Sequence, residues 1–188
     1  HALAQPPRPF FEELSNAVRG CIALVTGKRN ASSYFDFSQS GLVGSLIAVL
    51  VAMALAGFGP MLVGLSVPPG AATQSVVVNG ALFLAQAGMA YIVLRQMGRQ
   101  DGFVPYLVAS NWVTLLSAVL LLISTLFGEV GLFLLLGIAI VAILTFVNIG
   151  RFIVTLAPLQ IALLFVSQAV GVFLALGLVA VILPAPAV

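Results

Sequence analysis

Charge is what this sequence has least of. Only 6% of its 188 residues are Asp, Glu, Lys or Arg, while 62% are hydrophobic. An ordinary soluble domain carries about 25% charged residues. A chain this short has no means of hiding so much apolar surface from water, so lipid must solvate much of it. One cysteine, Cys21, excludes an internal disulfide and any cysteine-based zinc cage. The single histidine is His1, which leaves no interior imidazole for metal or base chemistry. Seven Lys and Arg give a net charge of +2, too few and too scattered for a nucleic-acid footprint. The five acids are Glu12, Glu13, Asp36, Asp101 and Glu129. None falls inside a long apolar run, so no buried carboxylate pair is expected to act as a proton relay. There is no phosphate-binding glycine loop, no metal-ligand spacing and no Ser/His/Asp set. These absences lead us to expect a non-enzymatic protein with no cofactor and no metal. The polar, amphipathic first 30 residues predict no secretory signal.

What the chain does have is long apolar runs separated by breakers. Five are expected to span a membrane: residues 40–65, 75–94, 104–127, 130–150 and 158–183. Each matches or exceeds the roughly 20 residues a helix needs to cross about 30 Å of hydrocarbon. Membrane barrels need alternating polarity, and LLSAVLLLISTLF does not alternate. The expected fold is therefore all-α, an integral membrane bundle of five transmembrane helices. Residues 1–39 form a cytoplasmic lead and linker, and 40–188 the membrane domain.

The basic residues set an orientation. Arg8, Arg19, Lys28 and Arg29 precede the first span, Arg95 and Arg99 follow the second, and Arg151 follows the fourth. With five spans they all fall on one side, as the positive-inside rule requires. The N-terminus is then cytoplasmic and the C-terminus outside, in a bacterial inner membrane. Lys28, Arg29, Arg95, Arg99 and Arg151 are candidate topology anchors and lipid-phosphate contacts. Arg151 belongs at a span's end, because a charge at a helix centre costs about 2.5–3.5 kcal/mol or more.

The lead, PFFEELSNAVRGCIALVTGKR, repeats Phe10, Phe11, Leu14, Val18, Cys21, Ile22 and Val25 at helical spacing, with Glu12, Glu13, Asn16 and Arg19 opposite. It is expected to be an interfacial amphipathic helix with its apolar side in the acyl boundary. Tyr34, Phe35, Phe37, Tyr106 and Trp112 are expected at headgroup level. Within the spans, Asn79, Gln86, Asn148 and Gln168 are candidates for a polar pocket, or else for hydrogen bonds between helices. Gly44, Ala48, Ala52 and Ala56 recur every four residues and form a candidate helix-contact stripe, serving internal packing or an intermolecular contact.

The layout resembles the Yip-domain family of small multi-pass membrane proteins, in a bacterial branch. The likeness rests on the lead PFFEELSNAVRG, on SSYFDFSQSGLVGSLIAVLVA, on PYLVASNWVTLL and on NIGRFIVTLAPLQIALLFVSQAVGVFLAL. It implies a helical bundle without known catalytic machinery. Eukaryotic members are associated with Rab GTPases and vesicle membranes, but a bacterial chain lacking their long N-terminal domain inherits the fold and not that partner. No functional residue transfers. The expected function is an accessory or organising subunit beside a larger membrane complex, with a membrane-protein partner or self-association. The alternative is a carrier or channel for a neutral solute or lipid.

Overall fold

The computed structural model describes residues 9–183. His1, Arg8, the expected stop at Pro184 and the PAPAV tail lie outside them. Six α-helices make up most of the described chain, and no strand occurs among the described residues. They are α1 (Phe10–Val25), α2 (Gln39–Leu62), α3 (Ala71–Gln96), α4 (Phe103–Ser124), α5 (Val130–Asn148) and α6 (Pro158–Ile182). The last five, with their flanking single turns, are each long and apolar enough to cross a membrane. The protein is thus an all-α integral membrane bundle.

Local chemistry sets the ends of the helices. At the start of α2, Ser38 Oγ accepts from the Gly41 N–H at 3.2 Å, and Asp36 Oδ1 accepts from the Ser38 N–H at 2.9 Å. At the start of α6, Pro158 follows an extended Ala157, and Gln160 Oε1 accepts from the Ala157 N–H at 2.9 Å. α1 and α3 both stop at a left-handed glycine, Gly27 (φ 70°) and Gly98 (φ 70°). In each case the next N–H reaches back to the helix, Lys28 to Ala23 O and Arg99 to Leu94 O, both at 2.8 Å. α5 ends differently. It widens into a π-turn, Ile149–Ile153, and the Leu156 N–H closes on Gly150 O at 2.8 Å.

The spans pack in the order α6, α3, α2, α4, α5, with α1 laid across α4 and α5 and touching α2. Small residues allow the closest approaches. Ala48 and Ala52 of α2 are buried in the core, and a Cβ on Gly171 of α6 would lie 3.3 Å from Ala85 O of α3. α5 and α6 stand at opposite ends of the row. They meet near their shared turn, where the Phe146 and Phe165 rings are 5.5 Å apart.

The core lies toward the end that carries the basic residues. Leu24, Leu94, Val108, Trp112, Val154 and Leu164 are among its fully buried side chains. Toward the other end, Leu126, Phe127, Val130, Leu132 and Phe133 are exposed, as a lipid-facing surface requires. The expected aromatic anchors are corrected here. Phe35, Tyr106 and Trp112 are core residues. Trp112 meets Phe10 at 5.8 Å, and Phe35 covers Gly20, where a Cβ would lie 2.6 Å from its ring.

The lead also differs from the expectation. Its helix forms, but Ala17, Gly20, Cys21, Ala23 and Leu24 face the bundle and are buried. Phe10 and Leu14 pack on the same core, leaving Phe11, Ile22 and Val25 exposed. Small residues on one side of α1 let it approach α4 and α5 closely, so protein replaces lipid along much of its apolar face. The 31–34 turn that follows contacts the π-turn after α5, so the lead and linker pack on the membrane helices.

Candidate functional site

Hydroxyls and amides in the spans behave differently. The hydroxyls of Ser45, Ser110, Thr114, Ser124, Thr145 and Ser167 all donate to carbonyls three or four residues back in their own helices. Lipid offers them nothing better, and the local bond needs no neighbour. Three carboxamides reach further. Asn111 Nδ2 of α4 donates to Ser45 Oγ of α2 at 3.2 Å, Asn148 Nδ2 of α5 to Leu24 O of α1 at 2.7 Å, and Gln168 Nε2 of α6 to Gln86 O of α3 at 3.1 Å.

Three of the four candidate pocket residues share one cavity. Asn79, Gln86 and Gln168 line a hollow of about 710 Å³ walled by α2, α3, α4, α5 and α6. Asn148 is corrected: it does not line this cavity but ties α5 to the end of α1. Asn111, not among the candidates read from the sequence, supplies a further polar group to the cavity wall alongside Ser110 and Thr114. Its signal was an amide set between Ser110 and Trp112 in an otherwise apolar run. The cavity arises because α5 and α6 join at their turn and then go to opposite ends of the row.

The electrostatics of the cavity are simple. Among the described residues, no Asp, Glu, Lys, Arg or His lines it. Asn79 Nδ2 is used within α3, at 2.8 Å from Ser75 O. The Gln86 side-chain amide has no hydrogen-bond partner among the described residues and is open to the cavity. Most of the remaining wall is aliphatic or aromatic, including Val49, Leu82, Phe83, Phe146 and Phe165. Ligand pockets typically enclose about 300–1,000 Å³. A mostly apolar hollow of this size, with a few carboxamides, suits a molecule with a long apolar body and a small uncharged polar group. It disfavours an ion, because nothing in the wall would offset the cost of desolvating a charge.

No family model, curated protein or solved structure matches this chain.

The remaining candidates lie elsewhere. In the contact stripe, Gly44 abuts the Glu13 carboxylate of α1, where a Cβ would come within 2.5 Å. Ala48 and Ala52 are buried, while Ala56 is exposed on the cavity wall. The stripe is thus occupied inside the chain as far as Ala52. Lys28, Arg29, Arg95 and Arg151 are exposed, and Arg151 stacks on Phe152 at 4.9 Å. Arg99 is more buried. Its Nη1 donates to Thr155 O at 2.9 Å and Nη2 to Thr155 Oγ1 at 3.1 Å, and it pairs with Asp101 at 3.3 Å. Among the described residues, no three His, Cys, Asp or Glu lie together in a metal-binding group.

Proposed function

We propose that this protein is a membrane-embedded binder and carrier of a neutral, amphipathic molecule, held between its spans by Gln86, Gln168, Asn79 and Asn111. The observation that carries this reading is the uncharged cavity of about 710 Å³, with the Gln86 amide open to it. The polar groups fix the guest's head, and the apolar wall accepts its body. The gap between α5 and α6 gives it lateral access from lipid. The proposal includes a non-enzymatic role and a bacterial inner membrane, with the basic end of the bundle in the cytoplasm. It takes the Yip-like layout as a scaffold only. The accessory-subunit reading ranks second, since two of the features behind it, the small-residue stripe and the lead helix, are largely packed against the chain's own helices.

The test is to purify the full chain from native membranes in mild detergent and extract what it retains. A neutral amphiphile at close to one per chain is expected. Gln86→Leu removes no protein–protein hydrogen bond of that side chain, so the fold is kept. Loss of one polar contact in this setting, about 1–2 kcal/mol, lowers retention roughly tenfold. Wild type and variant carrying the same complement of lipids would falsify the reading.

A further inference from the structure

A second hollow lies on the outside of the bundle, where the C-terminal half of α1 rests on α4 and α5. It is an open groove of about 500 Å³, with walls that include Ile22 and Val25 of α1, Leu116 and Leu120 of α4, and Phe133 and Ile138 of α5. The Thr26, Ser117 and Thr145 hydroxyls border it, and those of Thr26 and Thr145 donate to their own helix, at 2.8 Å and 2.7 Å. The groove therefore presents an almost wholly apolar surface to its occupant. Along α5 it runs from Phe133 to Thr145, about 18 Å at 1.5 Å per residue. Thr145 lies nearer the basic end of the Val130–Ile153 span and Phe133 nearer the other end, so the groove starts on the basic side and runs past the middle of the bilayer.

Its two ends differ. The Thr26 end opens where Gly27 turns the chain out of α1, and exposed Lys28 and Arg29 follow directly. Arg151, also exposed, lies in the π-turn that packs on the 31–34 segment just beyond. The acids of α1, Glu12 and Glu13, sit in its first turn, at the opposite end of the helix. An apolar groove within the membrane span, with two exposed cations following within three residues of its Thr26 end, has the complementarity of a phospholipid carrying net negative charge.

We propose that this groove holds an acyl chain of an anionic phospholipid, with the lipid phosphate on Lys28 and Arg29. The chain lies against α5 and α1, so the lipid splints the lead helix to the bundle. A zwitterionic lipid fills the same groove but gains less from the two cations. Gly137 lines the groove, and a Cβ built there meets nothing within 4 Å. A large side chain at that position projects into the lipid's place and not into the protein. Gly137, Lys28 and Arg29 do not line the inner cavity, so this site is tested independently of the proposed guest.

The experiment titrates the purified full chain in detergent with phosphatidylglycerol or phosphatidylcholine of identical acyl chains, read by native mass spectrometry. One phosphatidylglycerol per chain is expected to bind at lower concentration than phosphatidylcholine. Losing both cations, as in K28Q with R29Q, weakens phosphatidylglycerol binding roughly thirtyfold and abolishes the preference. G137F, with an unchanged circular dichroism spectrum, removes both lipids. Equal binding of the two lipids by wild type overturns the proposal. So does a preference that survives both variants. A lipid-free dimer would put a second copy in the groove and overturns it as well.

Discussion

Cys21 lies on the inner side of α1 with 5% of its surface exposed, and burial pushes its thiol up to about 12. Maleimides react with the thiolate, so the direction of that shift sets the chemistry. Raising the pKa from 9.0 to about 12 cuts the thiolate fraction near neutral pH about a thousandfold. Labelling of the folded protein is therefore expected to be slow at pH 7.5. It should climb about tenfold per pH unit through pH 10 without levelling off. Fast stoichiometric labelling at pH 7.5, or a plateau near pH 9, would show the thiol to be exposed. Asn148 gives a second prediction at this scale. Asn148→Leu removes the interhelical donor to the Leu24 carbonyl, which keeps only the Gly27 N–H at 3.1 Å, and should cost about 1 kcal/mol, read as a lowered Tm in detergent. That an amide in an apolar run must face protein or a polar hollow was legible in the sequence. Which partner it finds was not. Helical spacing assigns Asn148 to a face of α5, but says nothing of the α1 carbonyl 124 positions earlier.

Arg99 joins two elements that are distant in sequence, the loop after α3 and the turn between α5 and α6. Its partner Thr155 has φ 61°, a left-handed conformation that costs a β-branched residue about 1–2 kcal/mol. The guanidinium holds that strained peptide in place by binding both its carbonyl and its hydroxyl. Arg99→Met should release the turn and lower Tm by an amount equivalent to about 1–2 kcal/mol, after allowance for partial exposure of the pair. Thr155→Asn should be neutral or stabilising, because Asn tolerates the left-handed region and keeps an acceptor. A Thr155→Asn loss as large as that of Arg99→Met would mean that the hydroxyl, not the backbone clamp, secures the turn. The spans themselves were legible because lipid imposes their length and polarity. Their ends were less so. α3 runs from Ala71 to Gln96, past the apolar stretch at both ends. Thr73, Gln74, Arg95 and Gln96 can stay helical at headgroup depth, where a helix need not be apolar. The lead helix was likewise legible as a helix, whereas its docking on α4 and α5 depended on small residues that an amphipathic pattern does not weigh.

The order of the spans was not legible at all, since short connections and plentiful apolar surface allow many arrangements. That order is what separates α5 from α6 and opens the cavity, so the candidate site could be seen in the sequence only as residue types. Asn79, Gln86 and Gln168 converge because α3 pairs with α6, a choice written in contacts such as Gly171 against Ala85 and not in the hydropathy profile. The arrangement yields a prediction that contrasts two positions on one helix. Ala48 and Ala56 are eight residues apart on α2, in the same small-residue stripe. Ala48 has no exposed surface, whereas Ala56 opens on the cavity. Ala48→Leu must push α2 off its neighbours and should destabilise the bundle by about 1–3 kcal/mol. Ala56→Leu has room to enter the cavity, so Tm should change little, while the retained amphiphile should fall severalfold because its space is taken. Measuring Tm and extracted lipid on both variants separates packing from occupancy. If Ala56→Leu kept its full lipid complement at an unchanged Tm, the cavity would not be where the guest resides, and the carrier reading would have to yield to the accessory subunit.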